Sequence, residues 1–324
     1  MTKLVAITGA SGLIGSALRD VLSGRGIRFR ALVRTPERAR TILGADAVVV
    51  GCISDPGAVA ELCAGSDAIV HLARSTHRLQ DICRYDYPAL RTIIDAANAN
   101  AAELHYASSQ AVFGAARGYP PPVLDDAIPP SPTSAYGAMK AAWEWTARAH
   151  CTIKPVIYRF PVVVPAHLAD AAPWLKYLLF SGFCQLNTEN GSLHVRPQDA
   201  HIARGGLSFV HVEDVVDTIA ANLFRDEARG TVAMLADTEY VGFRDLADLY
   251  ADLAGRRGLA VTTAWDSPID RPAAAEAMFR FDAATARTQL GFSSQDGKAR
   301  LLGKAAEWFT EMIAGALAGR PDVP

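Results

Sequence analysis

Residues 3–15 read KLVAITGASGLIG. A short apolar strand runs into a turn carrying Gly9, Gly12 and Gly15, and a helical pattern follows to about residue 25. That junction makes a specific physical demand. A helix N-terminus exposes unpaired N–H groups and the positive end of its dipole, so it attracts an anion such as a pyrophosphate. Glycines let the backbone turn sharply and approach that anion, and the last one lets helix and strand pack closely. The spacing is G-x-x-G-x-x-G, for which the bland alternative is a purely structural turn. A strand before it and a helix after it favour a dinucleotide site built from Gly9, Ser11, Gly12, Leu13, Ile14 and Gly15.

Outward from the turn, strand-like and helix-like segments alternate through the first 165 residues. Strands are expected at 29–33 (FRALV), 47–50 (AVVV), 68–72 (AIVHL), 104–108 (LHYAS) and 156–160 (VIYRF), with helices at 85–100 and from about 135. Residues 115–134 read as a long loop. Such alternation implies an α/β fold, a doubly wound parallel sheet with helices on both faces. Past residue 165 the alternation breaks down. Residues 166–206 are irregular, a strand and helix resume over 207–224, and helices over 243–254 and 305–317 with a short strand at 260–264 complete a smaller, mixed α/β lobe. The expected division is 1–165, also receiving the strand and helix at 207–225, against a substrate lobe of 166–206 and 226–324. The tail after residue 318 reads as frayed.

Composition narrows the function classes. Among 324 residues, 32 basic and 34 acidic side chains give a net charge of −2 without a basic run, which argues against nucleic acid and membrane surfaces as partners. Five scattered cysteines, never spaced C-x-x-C, indicate neither a disulfide framework nor a zinc site and suit a reducing cytoplasm. No signal-peptide pattern opens the sequence and no apolar run approaches the roughly 20 residues that span a bilayer.

Two further features carry chemistry. The second strand ends at Arg34 with no carboxylate until Glu37. An acidic residue there suits a free ribose 2′-hydroxyl, whereas a guanidinium suits a 2′-phosphate. NADP is therefore favoured over NAD, with Arg38 as a second cation. Tyr136 and Lys140 stand four apart at the start of a helix and share a face. A phenol titrates near pH ~10, and a neighbouring ammonium lowers that value enough for proton transfer. Ser109, just past the end of the fifth strand, can present its hydroxyl to the same substrate oxygen, with Ser108 the adjacent alternative.

With TGASGLIG, the fourth-strand HLA, YASSQAVFG, the Tyr136–Lys140 pair and FVHVED at 209–214 in order, the chain resembles the extended short-chain dehydrogenase/reductase family, also called the NAD-dependent epimerase/dehydratase family. FD at 281–282 and LGF at 290–292 resemble its closing signature. The resemblance implies a Rossmann fold, Tyr136 as general acid/base, Lys140 as its tuner and ribose ligand, and Ser109 as ligand of the substrate oxygen. It adds Cys52, Ile53, Leu72, Ala73, Arg74, Pro161 and Val163 to the cofactor contacts. Three departures stand out. Cys52 replaces the usual acid after strand three. Asp86 replaces an asparagine and reads as a helix cap. Val162 stands where sugar-nucleotide epimerases carry an asparagine. The last, with Arg34, tilts the expectation towards NADPH-dependent reduction of a ketone or aldehyde. A nucleotide-sugar epimerase or dehydratase with tightly bound NAD(P), and a catalytically silent NADP sensor, are the alternatives. The resemblance allows a homodimer through the helices at 85–100 and 136–150. His71 and His211 read as core residues, His194 and His201 as lobe residues short of a metal site, and Trp143 and Trp145 as packing or dimer-face residues.

Overall fold

The computed structural model describes residues 3–114, 123–187, 190–198, 200–265, 280–294 and 296–318; 115–122 of the expected loop and the tail after 318 lie outside them. Strand β1 (Leu4–Thr8) is buried along its whole length and leads through the glycine turn into helix α1 (Leu13–Gly24). Then follow β2 (Arg28–Val33), β3 (Ala47–Val50), α2 (Pro56–Cys63), β4 (Ala68–His71), α3 (Tyr87–Ala99), β5 (Glu103–Ala107), α4 (Ala135–His150) and β6 (Val156–Arg159). A seventh strand, β7 (Val162–Val164), pairs in parallel with β8 (Phe209–His211) outside the main sheet. Helix α5 (Val212–Asn222) comes next, then β9 (Val232–Met234).

The main sheet has seven strands in the order β9-β6-β5-β4-β1-β2-β3, all pairs parallel. Strand direction alternates side chains between faces. Val5 and Ile7 of β1 therefore join Phe29, Ala31, Val70 and Tyr158 in a core against Leu18 and Leu22 of α1 and Val215, Val216 and Ile219 of α5. Ala6 faces the other way, with Leu32, Ile69, Leu104 and Ile157, against Leu62 of α2, Ile93 and Ile94 of α3, and Met139 and Trp143 of α4. Helices on both faces make the sheet doubly wound. Two findings correct the sequence reading. The edge strand β9 comes from residues assigned to the lobe; its three residues are too short for a period-2 pattern to register. Helix α3 starts at Tyr87, after a π-helical turn over Ile82–Asp86.

A second core gathers Phe180, Phe183, Tyr250, Trp308 and Phe309 with Val162, Val164 and Phe209. Around it lie a small sheet of Cys184–Asn187, Ser192–Val195 and Ala260–Thr263 and the helices Phe243–Arg256 and Gly297–Leu317. Val163, between Val162 and Val164, points instead to the first core, so β7 ties the two together. Among the described residues no helix is long and apolar enough to cross a membrane.

Candidate active site

The carboxyl ends of β1, β4 and β5 converge beside the glycine turn, which is where an open α/β sheet places its ligands. Gly9 has φ +74°, and a Cβ there would stand 2.7 Å from the Ala73 nitrogen. At Gly15 a Cβ would meet the Gly9 carbonyl oxygen at 2.2 Å, so helix and strand touch backbone to backbone. Gly12 differs: it caps α1 with φ −86°, is exposed, and a Cβ there meets only the Gly9 oxygen, at 3.3 Å. No side chain caps α1 and no acid lies in its first turn. The N–H groups of Leu13, Ile14 and Gly15 thus face outward under the positive end of the dipole, beside half-buried Ser11. This cradle fits a dinucleotide pyrophosphate.

The β4 end closes the turn from the other side. Leu72 N–H donates to the Thr8 carbonyl at 3.2 Å, and Ala73 N–H to the Thr8 hydroxyl at 3.3 Å. Arg34 is exposed at the end of β2, and Arg38 lies one short turn on. Among the described residues no ion pair holds either guanidinium. Cys52 is half-buried, its sulfur 3.1 Å from the Ser54 hydroxyl, and Ile53 is buried. Asp55 caps α2 through the N–H groups of Gly57 and Ala58 and does not replace the missing acid. Pro161 is buried and Val163 half-buried beside β6.

Ser134 caps α4 by accepting from Gly137 N–H at 3.0 Å. Gly137 lies so close to the turn after β5 that a Cβ would sit 2.2 Å from the Ala111 carbonyl oxygen. That approach brings the Tyr136 phenol near enough to the Ser109 hydroxyl for it to lower the phenol's pKa. Lys140, fully buried one turn along, donates to the Ala107 carbonyl at 2.7 Å and stands 5.8 Å from the centre of the Tyr136 ring. An ammonium has three donors, so two remain for a ligand's hydroxyls. Burial pulls Lys140 down to about 7, opposed by Asp86 and Glu144 and reinforced by Arg74. Burial raises the Tyr136 phenol above its ordinary value, although Arg74 and the neighbouring Ser109 hydroxyl pull it down. Ser109, Tyr136 and Lys140 thus come together, with Leu72, Ala73 and the glycine turn alongside.

Several neighbours had no local signal. Asp86 does not cap its helix: buried, it accepts from the Ser75 N–H at 3.0 Å and from the Ser75 hydroxyl. The His77 ring stacks on Tyr136 with centroids 4.5 Å apart and planes 8° apart, and the Arg74 guanidinium lies 5.8 Å from the same ring. Ser108 donates to Glu144 at 2.5 Å, and Arg159 grips that carboxylate through Nε at 3.0 Å and Nη2 at 2.7 Å. The spacing Tyr136, Lys140, Glu144 puts all three on one helical face and was the available clue. His71 is buried, 2.7 Å from the Thr8 hydroxyl and stacked on Trp143; burial pushes it down to about 3, so it is neutral. His211 donates to the Gly297 carbonyl at 3.0 Å, while His194 pairs with Thr262. The His201 side chain lies outside the described residues. Trp145 is 72% exposed.

Comparison with known proteins adds the following. The profile of the NAD dependent epimerase/dehydratase family matches residues 5–232. A 3-diazoavenalumate denitrifying reductase of a Streptomyces species is 29% identical over 246 residues, 72% of this chain and 76% of that protein. A dTDP-glucose 4,6-dehydratase of Mycolicibacterium smegmatis is 31% identical over 157 residues, 44% of this chain; the match spans 47%, about half, of that relative's length. Among solved structures, a short-chain dehydrogenase/reductase superfamily protein from Agrobacterium tumefaciens with bound NAD superposes with a TM-score of 0.77 at 23% identity, covering 98% of this chain and 100% of that one. MoeE5 in complex with UDP-glucose and NAD gives 0.72 at 21% identity, covering 95% and 99%. At these identities the structural likeness speaks for the fold.

Proposed function

The chain belongs to the NAD dependent epimerase/dehydratase family, a family of NAD(P)-dependent enzymes, and on that premise we propose that it reduces a ketone or aldehyde with NADPH. One observation carries the reading: Ser109, Tyr136 and Lys140 meet beside a glycine turn whose helix end is free to take a pyrophosphate. The turn from Gly9 to Gly15 would hold the pyrophosphate. Arg34, with Arg38, would take the 2′-phosphate through charge-assisted hydrogen bonds. Ile53 and Cys52 would border the adenine, and Leu72, Ala73, Arg74, Pro161 and Val163 the ribose and nicotinamide. When bound, the nicotinamide supplies the hydride.

The chain's own residues supply the rest. Ser109 donates a hydrogen bond to the carbonyl oxygen and orients it towards Tyr136. Tyr136 transfers its phenolic proton to that oxygen as negative charge develops there. Lys140 holds the ribose hydroxyls and stabilises the phenolate left behind. Burial keeps Tyr136 protonated at neutral pH, which suits a proton donor and so the reducing direction. The apolar Pro161–Val164 run, and a reductase as the relative aligned over most of the chain, support the same reading.

The second reading, a sugar-nucleotide epimerase or dehydratase, is favoured by the dehydratase relative and by fold neighbours that hold UDP-sugars. Stoichiometry separates the two. Across a panel of ketones and aldehydes, the proposal expects one NADPH oxidised per alcohol formed, and loss of turnover in Tyr136→Phe. Turnover of UDP- or dTDP-sugars without net cofactor change would replace it with the second reading. Full activity in Tyr136→Phe would remove the acid assignment.

A further inference from the structure

Residues 74–78 cross over the candidate tyrosine as a strap. Two carboxylates from the turns that follow pin it. Asp86 takes the N–H and hydroxyl of Ser75, and Asp81 takes the Thr76 hydroxyl at 2.6 Å. The Thr76 hydroxyl in turn accepts from Arg78 N–H at 3.0 Å, which tightens the bend. Between these anchors the strap lays the His77 ring flat on the Tyr136 ring, at 4.5 Å and 8°. Aromatic rings at this separation attract, and their planar contact restricts rotation of both.

From this arrangement the geometry points to His77 as a positioning residue for Tyr136: its stacked ring seals one face of the phenol against water and aims the hydroxyl at Ser109. The inference rests on Tyr136 being the acid of the proposed reaction, and it assigns the strap a task that the glycine turn and the Ser–Tyr–Lys set do not perform. With that face covered, a carbonyl would reach the hydroxyl from the Ser109 side. The stacking partner acts as a plane rather than as a proton carrier. Burial and the nearby Arg74 and Lys140 cations lower the His77 pKa, so the ring meeting the phenol at neutral pH is uncharged. The other groups that face the phenol are Arg74 from the strap, Asp86 from the turn before α3, Tyr106 from β5, Ser109 from the turn after it, and Lys140 from its own helix.

The test reads Tyr136 directly and needs no substrate. Protein labelled with [4-13C]tyrosine gives one line per tyrosine, and the Tyr136 line is the one lost in Tyr136→Phe. Each variant is titrated upward to the onset of alkaline unfolding, with NADPH binding as the check that the fold is intact. Removing the ring in His77→Ala lets water onto the phenol, so its line should move to the phenolate position about 1 pH unit below the wild type. His77→Phe keeps the plane and loses the imidazole, and should titrate with the wild type. An Ala variant that stays protonated wherever the wild type does, or Ala and Phe variants that shift alike, would overturn the inference. Neither outcome touches the acid assignment, which the turnover of Tyr136→Phe decides separately.

Discussion

The three glycines of the first turn should fail in different ways when each receives a methyl group. At Gly9 the backbone sits at φ +74°, and the added Cβ would lie 2.7 to 2.9 Å from backbone atoms of Leu72 and Ala73. Left-handed backbone costs an ordinary residue about 1–2 kcal/mol, and overpacking against atoms that cannot turn aside adds about 1–3 kcal/mol. Gly15→Ala meets a contact of 2.2 Å without the backbone strain, so it belongs in the same range. At about 2 °C per kcal/mol for a large chain, both variants should melt roughly 4–10 °C below the wild type. Gly12→Ala is the contrast. Its backbone is ordinary, its one close contact, the Gly9 oxygen at 3.3 Å, asks for a shift of only a few tenths of an ångström, and its melting temperature should move far less than in the other two. Its methyl group, however, points where the pyrophosphate must approach, and a tenfold to hundredfold loss of NADPH affinity is expected. With NADPH at 100 times the wild-type Kd, binding stabilises the wild type by about 2.7 kcal/mol; after a hundredfold loss it stabilises by about 0.4 kcal/mol. Differential scanning fluorimetry with and without NADPH reads both effects at once. A Gly12→Ala protein with the full ligand-induced rise would refute the placement of the phosphate. Unchanged melting in Gly9→Ala would refute the steric reasoning.

Other perturbations follow the same logic. Arg34→Ala should weaken NADPH binding roughly 10- to 100-fold and leave NADH unchanged; equal losses for both in calorimetry would deny Arg34 the 2′-phosphate. Lys140 titrates at about 7 in the folded chain, so NADPH affinity should fall as pH rises through about 7 while its charge is lost. Because that value is lowered from 10.5, the unfolded chain holds this proton to higher pH, and the group's contribution to stability rises between about 7 and 10.5. Lys140→Met should flatten both dependences, and a retained NADPH pH profile in that variant would assign the titration elsewhere. Glu144→Gln breaks the buried grip of Arg159 and should cost about 3–5 kcal/mol in urea unfolding; a loss below about 1 kcal/mol would mean the pair is not desolvated as its burial indicates.

The sequence exposed what is local and periodic. Six of the seven sheet strands are short apolar runs between helices, and the glycine turn announces itself by spacing. Tyr136 and Lys140 are legible because helical geometry puts residues four apart on one face, and Glu144 continues that row without having been read. What stayed hidden depends on contacts between segments. Asp86 resembles a helix cap because it precedes Tyr87-Pro88, yet its partner is Ser75, across a π-helical turn that no residue pattern marks. His77 looks like a surface histidine until the strap is folded over Tyr136. β9 joins the sheet through only three residues, Val232, Ala233 and Met234, whose pairing with β6 outweighs their weak pattern.

The most direct test is a crystal structure of the protein with NADP bound. The account predicts the pyrophosphate on the first turn of α1 and the 2′-phosphate at Arg34. It also predicts the nicotinamide ribose hydroxyls within hydrogen-bond reach, about 2.6–3.2 Å, of the Tyr136 hydroxyl and the Lys140 ammonium. A dinucleotide bound away from the glycine turn, or a nicotinamide lying beyond reach of the Tyr136 hydroxyl, would contradict it.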